Sequence, residues 1–452
     1  MKFPGFVFCM VLSLSTSAQM KNIKLAELTE GISIPMGVSI AINHKDPKNL
    51  IAGAGLNRVM ATVDGGKTWN ETKMASTFGA GGDPVLIADT KGNFFYFHLS
   101  DANGKGPDDD GWLDRIVCHT STDGGLTWSK DVSIGNNPPK DQVKPRVGTH
   151  YALGELYLTW TQFDHYGAKD STCQSNIFFS KSVHGKRWSD PIQINSTPGD
   201  CRDGDNTPNG AMAAININER LFVVWSNQES IFFDRSYDQG NTWLGNDLPI
   251  AKQPGGSSMN IPGLGKCSGM PTLIADDSET FFRGSLYVTY SDLSSGENDA
   301  DIWLIRSINR GDSWSSPQRV NKDAPGKHQF MPVMTVDQAT GVVYVVYYDR
   351  RAYDDLRTDV YLAYSLDGTG HFSEIKISES PFIPSPDKSM GDYIGITAYK
   401  GVIAPIWTRM DDGHTSVWTT VIKQEELFKK SEMPTLQNIR RPPRPYSPNN
   451  RY

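Results

Sequence analysis

An eight-residue pattern returns six times along the chain, and no other feature restricts the fold as much. Its first copy is Thr62–Trp69 (TVDGGKTW) and its second Ser121–Trp128 (STDGGLTW). Ser236–Trp243 (SYDQGNTW) and Ser307–Trp314 (SINRGDSW) keep the same spacing. Ser182–Trp188 (SVHGKRW) is one residue short, and Ser365–Phe372 (SLDGTGHF) ends on phenylalanine. Successive copies begin 59, 61, 54, 71 and 58 residues apart. A near-constant period of this kind marks one supersecondary unit laid down repeatedly. Each copy reads as a hairpin turn. The Asp or Asn side chain bonds backbone N–H groups within it, and glycine supplies a positive φ without steric cost. The aromatic residue packs inward and pins the turn.

Each copy follows three runs rich in β-branched and aromatic residues, broken by Gly, Asp and Asn, which read as strands. The second unit shows Pro84–Ala88, Phe94–Phe97 and Arg115–Cys118. The fifth shows Pro271–Ile274, Ser285–Tyr290 and Asp301–Ile305, and the sixth Pro332–Val336, Val342–Tyr347 and Asp359–Ala363. After the sixth copy come three more runs without a turn motif: Tyr393–Thr397, Val402–Trp407 and Ser416–Ile422. Near the start, Ile23–Leu28 has no partners of its own. It is expected to complete the seventh unit as its outer strand, which removes an open edge. The fold class is therefore an all-β, seven-bladed β-propeller closed by the N-terminal strand, with a six-bladed sialidase-type ring as runner-up. Residues 1–18 read as a signal peptide: Lys2, a short apolar run from Phe6 to Leu14, and small residues at 16–18. The propeller is assigned to 19–423. Residues 424–452 are expected to be a disordered tail that turns Pro- and Arg-rich.

The turn motif resembles the Asp-box of the sialidase superfamily and related propellers. In that family the boxes lie opposite the active site, so the resemblance places a ligand on the other face. That face collects the second-to-third loops and the connections between blades. It gathers His98, Arg115, Lys144, Arg146, His165, Tyr166, His328, Tyr348, Arg350, Tyr393 and Arg409. With 44 basic against 51 acidic residues the chain carries a net −7, which argues against general nucleic-acid or anionic-membrane binding. No run after the signal is long and apolar enough to span a membrane. Arginines gathered on one rim of an acidic protein suit an anionic ligand, because guanidinium matches carboxylate and sulfate geometry. The expected partner is an anionic polysaccharide or glycan, met outside the cell by a monomer.

Three functions follow. Seven-bladed polysaccharide lyases of the ulvan lyase type are similar in size and blade count. That resemblance implies β-elimination on a uronic-acid polymer. His98, Tyr166 and His165 are then the candidate base and acid, and Arg115 neutralises the carboxylate. Lys144, Arg146, His328, Tyr348, Arg350, Tyr393 and Arg409 line the substrate. This is the first reading. The sialidase resemblance implies an exo-glycoside hydrolase with Arg115, Arg350 and Arg409 as an arginine triad and Tyr393 as nucleophile. The family's Arg-Ile-Pro motif is absent here, the nearest string being Ser33–Pro35. The third reading is a glycan-binding propeller without catalysis. Cys118 reads as a buried strand residue. Cys173, Cys201 and Cys267, with His165, are candidate ligands of a structural zinc ion, against disulfide pairing as the ordinary outcome of export. A structural zinc or calcium ion is the one cofactor the sequence suggests.

Overall fold

The computed structural model describes residues 20–28, 37–106, 112–135, 142–152, 155–366, 368, 370–387 and 390–428, and of 142–152 and 265–266 the backbone alone. Both the expected signal segment and the chain beyond residue 428 lie outside the described residues.

Seven antiparallel sheets stand around one axis. Their inner strands are Val38–Ile42, Gly82–Ala88, Gln142–Ala152, Asn209–Ile215, Thr272–Ala275, Gln329–Val336 and Gly395–Tyr399. Each inner strand contacts the next, and the last contacts the first, so the ring is closed. Blades one to six are contiguous in sequence. The seventh takes its outer strand from the N-terminus: Ile23–Leu28 pairs with His414–Thr419, with Ile23 opposite Thr419 and Leu28 opposite Thr415. The sheet that would otherwise end in an exposed row of N–H and C=O groups is thereby finished by the far end of the chain. One element was not anticipated. A two-stranded hairpin, Ser258–Ile261 with Gly265–Ser268, is inserted between blades four and five. Its sequence signal is the Pro262-Gly263 turn between two short polar-apolar runs.

The boxes hold the blades together as well as turning the chain. In the first box Asp64 Oδ1 accepts from Lys67 N–H at 2.9 Å and Thr68 N–H at 3.0 Å. The Thr62 hydroxyl accepts from Gly66 N–H at 3.1 Å. Ser121, Ser236 and Ser307 do the same for the box glycines of blades two, four and five. The first residue of the motif therefore holds the glycine, a role the sequence did not suggest. The glycine in turn meets the preceding blade. A Cβ on Gly240 of blade four would lie 2.3 Å from the Phe179 ring of blade three. Gly311 stands equally close to Phe233, and Gly125 to Ile51. The box tryptophan grips the same ring: Trp243 lies edge-on to Phe179 at 5.1 Å, and Trp314 to Phe233 at 5.4 Å.

Between these turns the inter-blade space is filled by apolar side chains. Tyr157, Ile177 and Phe179 of blade three pack with Ala213, Leu221, Val223 and Trp225 of blade four. Each such side chain contributes about 1.5–3 kcal/mol on burial. The Gly240→Ala variant combines a methyl driven into Phe179 with a side chain at φ 82°. It is expected to lose about 3 kcal/mol or more in urea denaturation. Gly245→Ala, where an added Cβ meets nothing within 4 Å, is the control and is expected to lose less than about 1 kcal/mol.

Candidate functional site

The inner strands do not run straight into the channel. In blades two, three, four and six their registers slip near the start, between Gly82 and Val85, Lys144 and Gly148, Asn209 and Met212, and Phe330 and Val333. Asp83, Gly210 and Met331 sit in these bulges with φ of 50°, 70° and 52°. A non-glycine residue held at positive φ is a local cost that packing must offset, and bulges of this kind re-aim side chains beside functional sites. Here they face the end of the channel opposite the boxes. The channel itself is narrow and apolar, a cavity of about 160 Å³ lined by Val85, Met212, Ile274, Val333 and Ile396 among others.

At its mouth Asp83 and Tyr393 close around Gly37. The Gly37 N–H donates to Asp83 Oδ1 at 3.2 Å. A Cβ on Gly37 would fall 2.2 Å from Tyr393 Cζ, so glycine is what lets the phenol lie there. The Tyr393 hydroxyl donates to the Pro84 carbonyl at 3.3 Å, and the ring lines the cavity. Tyr393 was expected on this face. Asp83 was not. Its signal is a proline just inside the inner strand: Asp83-Pro84, Lys144-Pro145 and Met331-Pro332 share this spacing.

The structure divides the other expected residues. His98 is not at the surface. It is 1% exposed, with Nδ1 2.7 Å from the Leu99 carbonyl and Nε2 3.2 Å from His119 Nε2. Burial pushes its pKa down to about 4. Asp83 and Tyr393 are nearly as buried, at 2% and 7%, but Tyr393 lines the channel, whereas His98 does not and has both ring nitrogens engaged within blade two, which corrects its reading as a base. Tyr166 is half-buried, lies edge-on to Trp112 and Phe163, and donates to Asp203 Oδ2 at 2.8 Å. His165 is exposed on the same loop. The side chains of Lys144 and Arg146 lie outside the described residues.

The three arginines of the expected triad are each occupied in a different way. Arg115 chelates its neighbour Asp114 and covers the Phe78 ring at 4.9 Å, with a third of its side chain exposed. Arg409 makes a two-pronged pair with Asp411, at 2.7 and 2.6 Å, and lies 5.1 Å over Trp418. Arg350 is buried beneath the inserted hairpin. Tyr348 is fully buried and ties blade six to blade seven, donating to the Thr408 carbonyl at 2.6 Å. His328 is buried beside Arg350.

The zinc set is also corrected. Cys173 and Cys201 form a disulfide, with Cα atoms 5.8 Å apart, so neither thiolate is left for a metal. Cys267 is a buried free thiol in the hairpin, and Cys118 one in a strand. Among the described residues no three His, Cys, Asp or Glu side chains are grouped to hold a metal ion. No helix among them is long and apolar enough to cross a membrane.

With this geometry in view, the comparisons are instructive. A curated sialidase of Bacteroides fragilis (strain YCH46) is 29% identical over 218 residues. The match covers 39% of this chain and 37% of that enzyme, so the chain spans little more than a third of the relative's length. An α-L-arabinofuranosidase of Fusarium graminearum, solved with an iminosugar inhibitor, superposes with a TM-score of 0.50 at 13% identity. That superposition covers 91% of this chain and 99% of the other. A Hadza microbial sialidase gives 0.47 at 14% identity over 83% and 73%. These likenesses concern the fold. No protein-family model matches the chain.

The buried histidines make the protein acid-sensitive in a defined window. His98 has a folded pKa below its unfolded value, so its contribution is complete above pH 6.5 and fades as pH falls toward 4. Up to about 3 kcal/mol of stability is expected to disappear across that interval. Chemical denaturation at pH 7, 5.5 and 4 measures it. His98→Asn is expected to flatten the slope, and an unchanged slope in that variant contradicts the assignment.

Proposed function

We propose that this chain is a glycan-cleaving propeller enzyme, an exo-glycoside hydrolase of the sialidase kind, working at the channel mouth. The observation that carries the reading is the placement of Asp83 and Tyr393 on either side of Gly37. Sialidases are the glycosidases that use a tyrosine in place of a carboxylate nucleophile. Tyr393 is the nucleophile in this reading. Its oxygen bonds to the anomeric carbon as the glycosidic bond breaks, the phenol proton passing to the Asp83 carboxylate and from it to the leaving oxygen. Water then releases the sugar and restores the tyrosine. A carboxyl and a phenol on a bulged, largely enclosed backbone are held in place before substrate arrives, which is what such a step requires.

The sequence relative, a sialidase, favours hydrolysis over elimination. The elimination reading also loses one of its candidate bases, because His98 is interior. The Cys173–Cys201 disulfide supports an oxidising location outside the cytoplasm. A glycan-binding propeller without catalysis is the second reading. What favours it is that Arg115 and Arg409 are held by carboxylates of their own blades, leaving no free triad for an acidic sugar.

Fluorogenic sialosides and arabinofuranosides, with uronate polymers read by ultraviolet absorbance of unsaturated products, separate the readings. Tyr393→Phe and Asp83→Asn are each expected to lower kcat on the cleaved glycoside at least ~100-fold, with the melting temperature unchanged. Full activity in both variants removes the pair from the mechanism. Cleavage of none of these substrates, with glycan binding retained, supports the second reading.

A further inference from the structure

Two arginines are buried among the described residues, Arg409 and Arg350. Arg409 has Asp411 as its counter-charge. Arg350, 3% exposed, enters no ion pair among the described residues. Its neighbours in the ligand-face loops follow the opposite rule: Arg319 pairs with Asp301 and Asp323, and Arg351 with Asp349 and Glu374. Arg350 makes its contacts with neutral oxygens. Its Nε donates to Thr358 Oγ1 at 3.0 Å, and its Nη1 to the Pro262 carbonyl of the inserted hairpin at 2.7 Å. The Phe330 ring lies 5.2 Å from the guanidinium carbon. The third nitrogen, Nη2, is buried and has no acceptor.

An uncompensated guanidinium in an apolar interior costs several kcal/mol even after relaxation. The ionisable group acting to raise its pKa is the Cys267 thiol, and burial, with the Asp392 carboxylate acting in the same direction, keeps that thiol protonated. Burial accordingly drives the arginine's own pKa down to about 10. It remains cationic at neutral pH, and its charge calls for an anion.

A second donor stands nearby. His328 feels the Arg350 charge, and its Nδ1 accepts the Ala300 N–H at 3.3 Å. With Nδ1 used as acceptor, the ring proton of neutral His328 is on Nε2, a donor. The Asp299 carboxylate acts on His328 and accepts the Lys327 N–H at 3.2 Å, and makes no ion pair with Arg350. Lys327 itself is engaged by Asp354 and the Tyr353 carbonyl.

We infer that a small monovalent anion of the chloride class sits against Arg350 Nη2 and His328 Nε2, beneath the hairpin and between blades five and six. Two N–H donors beside an aromatic face and a neutral thiol suit a weakly hydrated sphere. A tetrahedral oxyanion brings more acceptor oxygens than these two donors satisfy. The bound anion joins the hairpin, through Pro262 and Cys267, to blade six, so its effect is read in stability and needs no assumption about the glycan.

The test is thermal unfolding of the full chain at fixed pH and ionic strength, with sodium gluconate replaced stepwise by chloride or bromide. The wild type is expected to show a saturating rise in melting temperature, as for any ligand bound by the native state alone. Arg350→Met is expected to lose the anion-specific part of that rise. His328→Asn is expected to keep it, with the midpoint moved about tenfold to higher chloride, the loss of one hydrogen bond. A bromide-soaked crystal is expected to show an anomalous peak beside Arg350 Nη2, which decides the matter even if Arg350→Met does not fold. Equal melting curves in gluconate and chloride overturn the site. So does the same rise in wild type and Arg350→Met, or a crystal with only water in that position.

Discussion

The contact between a box glycine and the ring of the preceding blade is the interaction on which the rest of the architecture depends. Seven sheets around an axis share no hydrogen-bonded ladder from one blade to the next, so their spacing is set by side chains. At Gly240 and Gly311 the turn of one blade approaches the aromatic ring of another as closely as backbone can. The box tryptophans then clamp those rings from the edge. Interiors at crystal-like density transmit small displacements, so this contact fixes how far apart the inner strands stand, and thereby the width of the channel. The hydroxyl and the Asp or Asn side chain of these boxes serve the same end, holding glycine where no other residue fits.

The opposite face is free of that duty and is built differently. Inner strands begin there with bulges in place of regular pairing, and the charges of the loops are largely settled within single blades. Arg115 with Asp114, Arg409 with Asp411 and Arg351 with Asp349 are neighbours in sequence before they are neighbours in space. The rim is therefore less cationic to a ligand than its arginine count suggests. What it offers at the centre is the Tyr393 ring lining an apolar channel, with the Asp83 carboxyl beside it, and Arg350 is a buried arginine that enters no ion pair among the described residues.

Blade number and closure were legible because both follow from local chemistry: alternating apolar runs, a turn motif of fixed form, and a strand without partners at Ile23–Leu28. The site was less legible for a reason of parity. His98 ends an apolar run and looks like a rim residue. Yet Phe94, Tyr96 and His98 share one side of their strand, and Phe94 and Tyr96 pack against Ala41, Ile51 and Val59 of blade one. The same alternation was present in the sequence and argues for burial. Asp83 was hidden by its bulge, since a register slip changes which side chains face the axis. The cysteines allowed three full pairings. The fold brings Cys173 to Cys201 and leaves Cys118 and Cys267 in separate cores, a choice that depends on loop paths and not on spacing.

The central claim is that the mouth of the channel, on the side away from the boxes, is where a sugar reacts. The most direct measurement is the crystal structure of the protein soaked with a glycan or glycoside-derived inhibitor that it binds in solution. The account predicts a sugar ring over the channel mouth, within hydrogen-bond distance of Asp83 and Tyr393. A sugar bound on the box face or along a blade edge, with the mouth unoccupied at saturating ligand, contradicts it.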